Sequence, residues 1–113
     1  SAAVWNSAAL HLCTDRPLLV VEGVFDGLPH WPDAIAVLGK PTERQLPLLR
    51  SAARPLVVAL DGDAWREGEA LAWRLQLDGV RARALRLPPR TDPGDVNNDE
   101  LMAQARRVWE EAR

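Results

Sequence analysis

Acidic side chains follow short apolar runs at two places in this sequence, and they are the residues best suited to hold a metal ion. Glu22 comes directly after one apolar run. Asp61 and Asp63 come directly after another, with Gly62 between them. Residues i and i+2 of an extended segment point the same way, and glycine lets the backbone turn between them. Converging carboxylates repel one another, and a divalent cation relieves that repulsion. Because no His or Cys accompanies these acids, Mg²⁺ or Mn²⁺ fits the set better than zinc.

A purely structural interpretation of the same acids stays open. Asp-Gly-Asp also occurs in plain turns, and acids at helix N termini are ordinary caps. The position of Asp61 and Asp63 at one strand end, opposite Glu22 at another, favours the metal site. For Asp26, a local hydrogen-bonding role and membership of the site are both open.

The elements that must position these acids follow from the apolar pattern. Short runs rich in Val, Ile and Leu fit strands that are buried on both faces. The predicted strands are 18–21, 34–38, 56–60 and 80–87, and the predicted helices are 4–13, 24–30, 42–53, 64–78 and 99–111. This alternation predicts an α/β fold, a Rossmann-like parallel sheet of about four strands flanked by helices. Functional groups of such a fold gather at the carboxyl ends of the strands, where these acids fall.

The composition limits the partners of the chain. The 113 residues suit a single domain, and no apolar run approaches the roughly 18 residues that a membrane span needs. The net charge of −2 argues against a domain that is basic all round. Four arginines cluster between positions 81 and 90, either as a solvated edge that blocks strand pairing or as a track for nucleic acid. The single cysteine, Cys13, fits a reducing, cytoplasmic compartment.

Three residues beside the acids are candidates for binding phosphate or nucleic acid. Arg66 is predicted at a helix N terminus just after the Asp-Gly-Asp motif, where a phosphate would be stabilised. Trp65 next to it could stack on a base, and Lys40 follows the second predicted strand. Trp73, by contrast, is expected to pack on the sheet because it lies at helical spacing with Ala70 and Leu77.

Four segments in register resemble the TOPRIM domain of bacterial-type and phage-type primases. The segment 21–28 (VEGVFDGL) is similar to the family's VEGxxDxL start, and Leu38-Gly39 resembles its turn after the second strand. The segment 58–63 (VALDGD) resembles the strand that ends in DxD, and 87–95 (LPPRTDPGD) resembles the primase LPxxKDPxD loop. The resemblance covers about residues 17–98 of what we expect to be one domain, 1–113, of a larger protein.

The resemblance implies Mg²⁺-dependent nucleotidyl transfer on nucleic acid, as in primer synthesis during DNA replication. Glu22 would serve in proton transfer or metal binding, and Asp61 and Asp63 would hold Mg²⁺. Asp92 and Asp95 would support a second ion or an outer shell. The implied partners are DNA and nucleotides, with a replicative helicase or other domains of the parent protein, and no membrane.

Two other functions within the same family stay open. The domain could belong to a topoisomerase or nuclease that cleaves strands, or it could be a non-catalytic binding module. Primases usually have a small Ala-Gly step soon after DxD, whereas this chain has Trp65 and Arg66. The segment 66–73 (REGEALAW) is instead similar to a stretch of type IA topoisomerases.

Overall fold

The computed structural model describes residues 3–39 and 43–111 and forms an α/β fold around a four-stranded, wholly parallel sheet. The strands are β1 (Leu18–Val21), β2 (Ala34–Ala36), β3 (Leu56–Val58) and β4 (Ala82–Ala84). The predicted fold class is therefore confirmed. None of the helices in these two segments is long and apolar enough to span a membrane.

The sheet has the order β2-β1-β3-β4, in which β1 and β3 are the two inner strands. Leu19 of β1 pairs with Ala34 on one side and with Val57 on the other. The chain therefore runs outward from β1 in one direction to β2 and then crosses to β3 on the opposite side. The change of direction makes a topological switch point between β1 and β3, and ligands of open α/β sheets bind outside the carboxyl ends of the strands at such a point.

Helices cover both faces of the sheet. They are α1 (Val24–Gly27), α2 (Leu46–Arg50), α3 (Trp65–Leu77) and α4 (Asn98–Glu111). Short 3₁₀ turns lie at Ser7–His11, Leu28–His30, Gly62–Ala64 and Pro93–Asp95.

The apolar strands divide the core into two layers because alternate side chains face opposite ways. Leu18 and Val20 belong to one cluster with Leu71 and Leu75 of α3. Leu19 and Val21 belong to the other, which α4 closes with Leu101, Met102 and Ala105. Both faces of β1 are fully buried, which explains why its sequence is continuously apolar rather than alternating.

Several boundaries differ from the predicted ones. The helix expected over 4–13 is only the 3₁₀ turn Ser7–His11, and the strand expected over 80–87 is only β4. The helix expected over 42–53 is α2, with Pro47 in its first turn. Residue 42, where the predicted helix begins, lies outside the described residues, and the side chain of Gln45 donates to the carbonyl of Val37.

The prediction that Trp73 packs on the sheet is wrong. Its exposed fraction is 63%. Helix α3 buries Gly68, Leu71, Ala72 and Leu75, which follow the i, i+3, i+4, i+7 pattern of one helical face. Trp73 lies on the other face, so α3 carries two apolar stripes and the sheet covers only one of them.

Candidate metal centre

Three aspartates from three separate segments meet at the carboxyl edge of the sheet. Asp26 lies in α1 after β1, Asp61 follows β3, and Asp92 lies in the loop after β4. Each offers a carboxylate oxygen, and these oxygens all lie within 4.8 Å of one another. The cluster therefore lies at the switch point, where the fold is expected to place a ligand.

The close approach of two loops brings Asp61 to Asp92. A Cβ at Gly62 would lie 1.9 Å from the carbonyl oxygen of Pro88, so only glycine fits at this position. The N–H of Gly62 donates to the carbonyl of Thr91 at 2.9 Å. The Asp-Gly-Asp segment thus lies directly against the loop 87–95.

A second glycine brings that loop to α1. A Cβ at Gly94 would lie 2.8 Å from the carbonyl oxygen of Phe25 and 3.1 Å from the Cα of Asp26. Buried His30 holds the same loop from the other side, with Nε2 2.8 Å from the carbonyl oxygen of Pro93 and Nδ1 2.8 Å from Oδ1 of Asn98. Asp26 and Asp92 are therefore held together by backbone packing.

The electrostatics of the cluster are unfavourable for three ionised carboxylates. Burial raises the pKa of Asp61 to about 6, together with the negative charge of Asp92 beside it. The charges of Asp26 and Glu22 act in the same direction. Burial and the charge of Asp92 also raise the pKa of Asp26, although backbone hydrogen bonds to Gly23 and Gly94 oppose the change. The site would thus gain from a bound cation.

One atom of the cluster lacks a partner. Oδ1 of Asp61 is buried and has no hydrogen bond within the part of the chain that the structure describes. Buried polar atoms are nearly always paired, so an orphaned carboxylate oxygen among converging acids suits a metal ligand. The all-oxygen donor set fits Mg²⁺ or Mn²⁺.

The other predicted acids lie outside the group of three whose carboxylate oxygens are within 4.8 Å of one another. Glu22 is half-buried and close enough to raise the pKa of Asp61. Asp63 is exposed in the turn Gly62–Ala64. Asp95 is exposed, and its charge acts on Asp26. Lys40 lies outside the described residues.

Asp26 is the member that the predicted set of metal ligands omitted. Its place in the helical turn directly after β1 carried a usable signal, because that turn lies at the carboxyl edge of the sheet. No pattern in the sequence, however, indicates that Gly94 brings the loop of Asp92 against this turn.

Trp65 and Arg66 lie beside the centre, at the start of α3. The guanidinium carbon of Arg66 is 5.0 Å from the centroid of the Trp65 ring, and that of Arg86 is 3.9 Å from it. Trp65 is half-buried, and both arginines are exposed. Two arginine side chains of this chain thus lie against the ring of Trp65, the candidate for stacking on a base.

Comparison with known proteins shows the fold. No family model and no curated protein matches the sequence. The structure is similar over 85% of its length to the Aquifex aeolicus primase (zinc-binding and RNA polymerase domains), with a TM-score of 0.63 and 21% identity. Over 82% of its length it is similar to the RNA polymerase domain of the Mycobacterium tuberculosis primase DnaG, with a TM-score of 0.53 and 24% identity. The chain spans 26% and 35% of those two proteins. Its Rossmann-like architecture is thus one that bacterial primase domains contain.

Proposed function

We propose that this chain is a TOPRIM-type domain that binds Mg²⁺ or Mn²⁺ and serves in nucleotidyl transfer on nucleic acid in a primase-like protein. The observation that carries the proposal is the cluster of Asp26, Asp61 and Asp92 at the switch point, with one buried oxygen of Asp61 unpaired. The primase-like motifs and the fold shared with two primases support it.

The proposed roles follow from where the acids lie. Asp26, Asp61 and Asp92 would hold the cation, with exposed Asp63 and Asp95 completing its surroundings. When bound, the ion would neutralise phosphate charge and lower the pKa of a coordinated hydroxyl. Glu22, half-buried beside Asp61, is the carboxylate proposed to accept a proton from the attacking hydroxyl.

Metal binding is tested by titrating the 113-residue chain with Mn²⁺ and following the free ion by electron paramagnetic resonance. We expect Asp61→Asn and Asp92→Asn each to weaken Mn²⁺ binding by about ten-fold or more, since each removes a charged ligand. Asp99→Asn, on the exposed first turn of α4, is the matched control and should leave the affinity unchanged. If both cluster variants bind Mn²⁺ as tightly as the wild type does, the metal assignment is wrong.

The reaction is tested in the full-length protein that contains this domain. Primer synthesis from ribonucleotides on a single-stranded DNA template should occur and should be lost in Asp61→Asn. Nicking of supercoiled DNA that depends on Asp61 would instead place the domain among strand-cleaving enzymes. Absence of both reactions, with Mn²⁺ and DNA still bound, would favour the non-catalytic module.

A further inference from the structure

The segment that departs from the primase pattern forms a cationic stack, which we define as Trp65 with the guanidiniums of Arg66 and Arg86. Arg66 lies in the first turn of α3, and Arg86 lies in the segment after β4. Two separate segments thus place like charges on one indole ring. Each cation–π contact orders an arginine side chain that would otherwise move freely.

Neither guanidinium of the cationic stack is neutralised by this chain. Within 3–39 and 43–111, the arginines that form ion pairs are Arg16, Arg50, Arg54, Arg74 and Arg81. Arg66 and Arg86 form none in these segments, and they stay exposed. A guanidinium that stacks through its face keeps its N–H groups at the edge, where they are available to a bidentate anion such as phosphate.

The cationic stack adjoins the acidic cluster. Arg66 lies in the first turn of α3, and Asp63 lies in the 3₁₀ turn directly before that helix. Arg86 precedes Pro88, whose carbonyl oxygen is the atom against which Gly62 packs. A ligand that bound a metal at the cluster through anionic groups would therefore lie near the guanidiniums of Arg66 and Arg86.

The arginines within and beside β4 have different partners and do not form a continuous basic track. Arg81 pairs with Asp15 at 3.6 Å. Arg83 stacks on Trp109 of α4, with its guanidinium carbon 4.4 Å from the ring centroid. Arg86 instead stacks on Trp65, two residues after the Asp-Gly-Asp motif, and such an isolated pair of cations suits a compact polyphosphate better than a long nucleic acid backbone.

We infer that the cationic stack binds the polyphosphate of a nucleoside triphosphate beside the acidic cluster, with Trp65 positioning the two arginines. This inference rests on the proposed function, which supplies the metal site next to it. Trp65 acts here through Arg66 and Arg86 and does not itself touch the ligand.

The test uses inorganic triphosphate as the probe and the 113-residue chain, with affinities measured by isothermal titration calorimetry in Mn²⁺ and again in EDTA. Arg66→Gln and Arg86→Gln should each weaken triphosphate binding about ten-fold, as expected for the loss of a charge-assisted hydrogen bond. Arg83→Gln removes an arginine from an equivalent stack on Trp109 and should leave the affinity unchanged. Mn²⁺ binding should be the same in all three variants.

The role of Trp65 is tested by comparing two substitutions. Trp65→Leu removes the ring and should weaken triphosphate binding, whereas Trp65→Phe keeps an aromatic face and should restore most of the affinity. Unchanged triphosphate affinity in Trp65→Leu, with circular dichroism unchanged, would remove Trp65 from the inference.

Three outcomes would overturn the inference. The first is a triphosphate affinity that Arg66→Gln and Arg86→Gln leave unchanged while Mn²⁺ still binds. The second is an equal loss in Arg83→Gln. The third is weaker binding of a single-stranded oligonucleotide in the two variants with triphosphate binding unaffected, which would assign the stack to a polynucleotide. Failure of the wild type to bind Mn²⁺ would instead contradict the proposed function, and the measurements in EDTA would still decide on the cationic stack.

Discussion

Asp61 combines a raised pKa with a buried oxygen that has no hydrogen-bond partner in the described segments. The raised pKa arises first from burial and then from the negative charges of Asp92 and Asp26 beside it. A side chain selected only for stability would not be placed in this way, since ionising it beside two other acids opposes folding. The same placement favours folding once a cation is bound.

The pH dependence of stability should show the effect of Asp61 directly. The pKa of Asp61 rises from 3.8 to about 6 in the folded chain. Between these two pH values the folded state therefore holds a proton that the unfolded state has lost. Stability from this group is present below pH 4 and is lost as the pH rises to about 6. In EDTA at pH 7.5 we expect Asp61→Asn to raise the free energy of unfolding by on the order of 1 kcal/mol, with allowance for solvent screening.

Urea unfolding between pH 4 and pH 8 measures this, and Asp63→Asn is the control. Because Asp63 is exposed, its replacement should change stability by less than about 0.5 kcal/mol. A saturating concentration of Mn²⁺ should reverse the order, with the wild type becoming more stable than Asp61→Asn. Lower stability of Asp61→Asn in EDTA at pH 7.5 would contradict the account.

Among the elements, the loop 87–95 does most to assemble the centre. It lies against the Asp-Gly-Asp segment at Gly62 and against α1 at Gly94. Each contact requires the absence of a side chain, so the arrangement of the three acids depends on two glycines as much as on the acids.

Gly62→Ala should therefore reduce both stability and metal binding. Its Cβ would lie 1.9 Å from the carbonyl oxygen of Pro88, so one of the two loops must move. We expect a loss of roughly 2–3 kcal/mol in the free energy of unfolding and a weaker affinity for Mn²⁺, measured by urea unfolding and by titration.

Gly68→Ala is the matched control for this change. Gly68 lies within α3, and the nearest atoms to its Cβ would be 3.6 Å away, on Leu60 and Val58. Alanine should be neutral there or stabilising by up to about 1 kcal/mol. If Gly62→Ala behaved like Gly68→Ala, close loop packing would not be what forms the site.

The elements themselves were largely predictable, because four apolar runs each became a parallel strand. The acids that follow them at Glu22 and Asp61 were found for the same reason. What could not be predicted was which stripe of α3 faces the sheet, since Trp73 and Leu71 both lie at helical spacing. The approach of Asp92 to Asp26 was also not predictable, because it depends on the contact of Gly94 with α1, between residues far apart in the chain.

At the scale of the whole molecule, the two ends of the sheet carry different kinds of polar residue. The acids gather at the carboxyl end, whereas the amino end is held by Arg54, which is fully buried. Arg54 donates to the carbonyls of Ala9, Arg16 and Pro17, and to Oδ1 of Asp33 at 2.7 Å. One guanidinium thus joins the N-terminal segment to the starts of β1 and β2.

Arg54→Met should lower the free energy of unfolding by about 3 kcal/mol or more, because it leaves Asp33 and several carbonyls without their buried partner. Arg16→Gln, which removes the exposed partner of the same Asp33 at 3.5 Å, should cost less than about 1 kcal/mol. Urea unfolding measures both. Mn²⁺ affinity of the folded Arg54→Met chain should equal that of the wild type, and a parallel loss would show that the two ends of the sheet are coupled.

The contact between Gly62 and Pro88 also decides whether the Asp-Gly-Asp motif can be transplanted. Inserted after a strand of an unrelated α/β protein, the tripeptide would bring two carboxylates but no neighbouring loop to press against its glycine. A transplant would therefore have to include α1, the tripeptide and the loop 87–95 together. The strand order of this sheet brings these three segments side by side. Building such a centre in another protein would therefore require the same backbone packing between these three segments, and not only the same sequence motif.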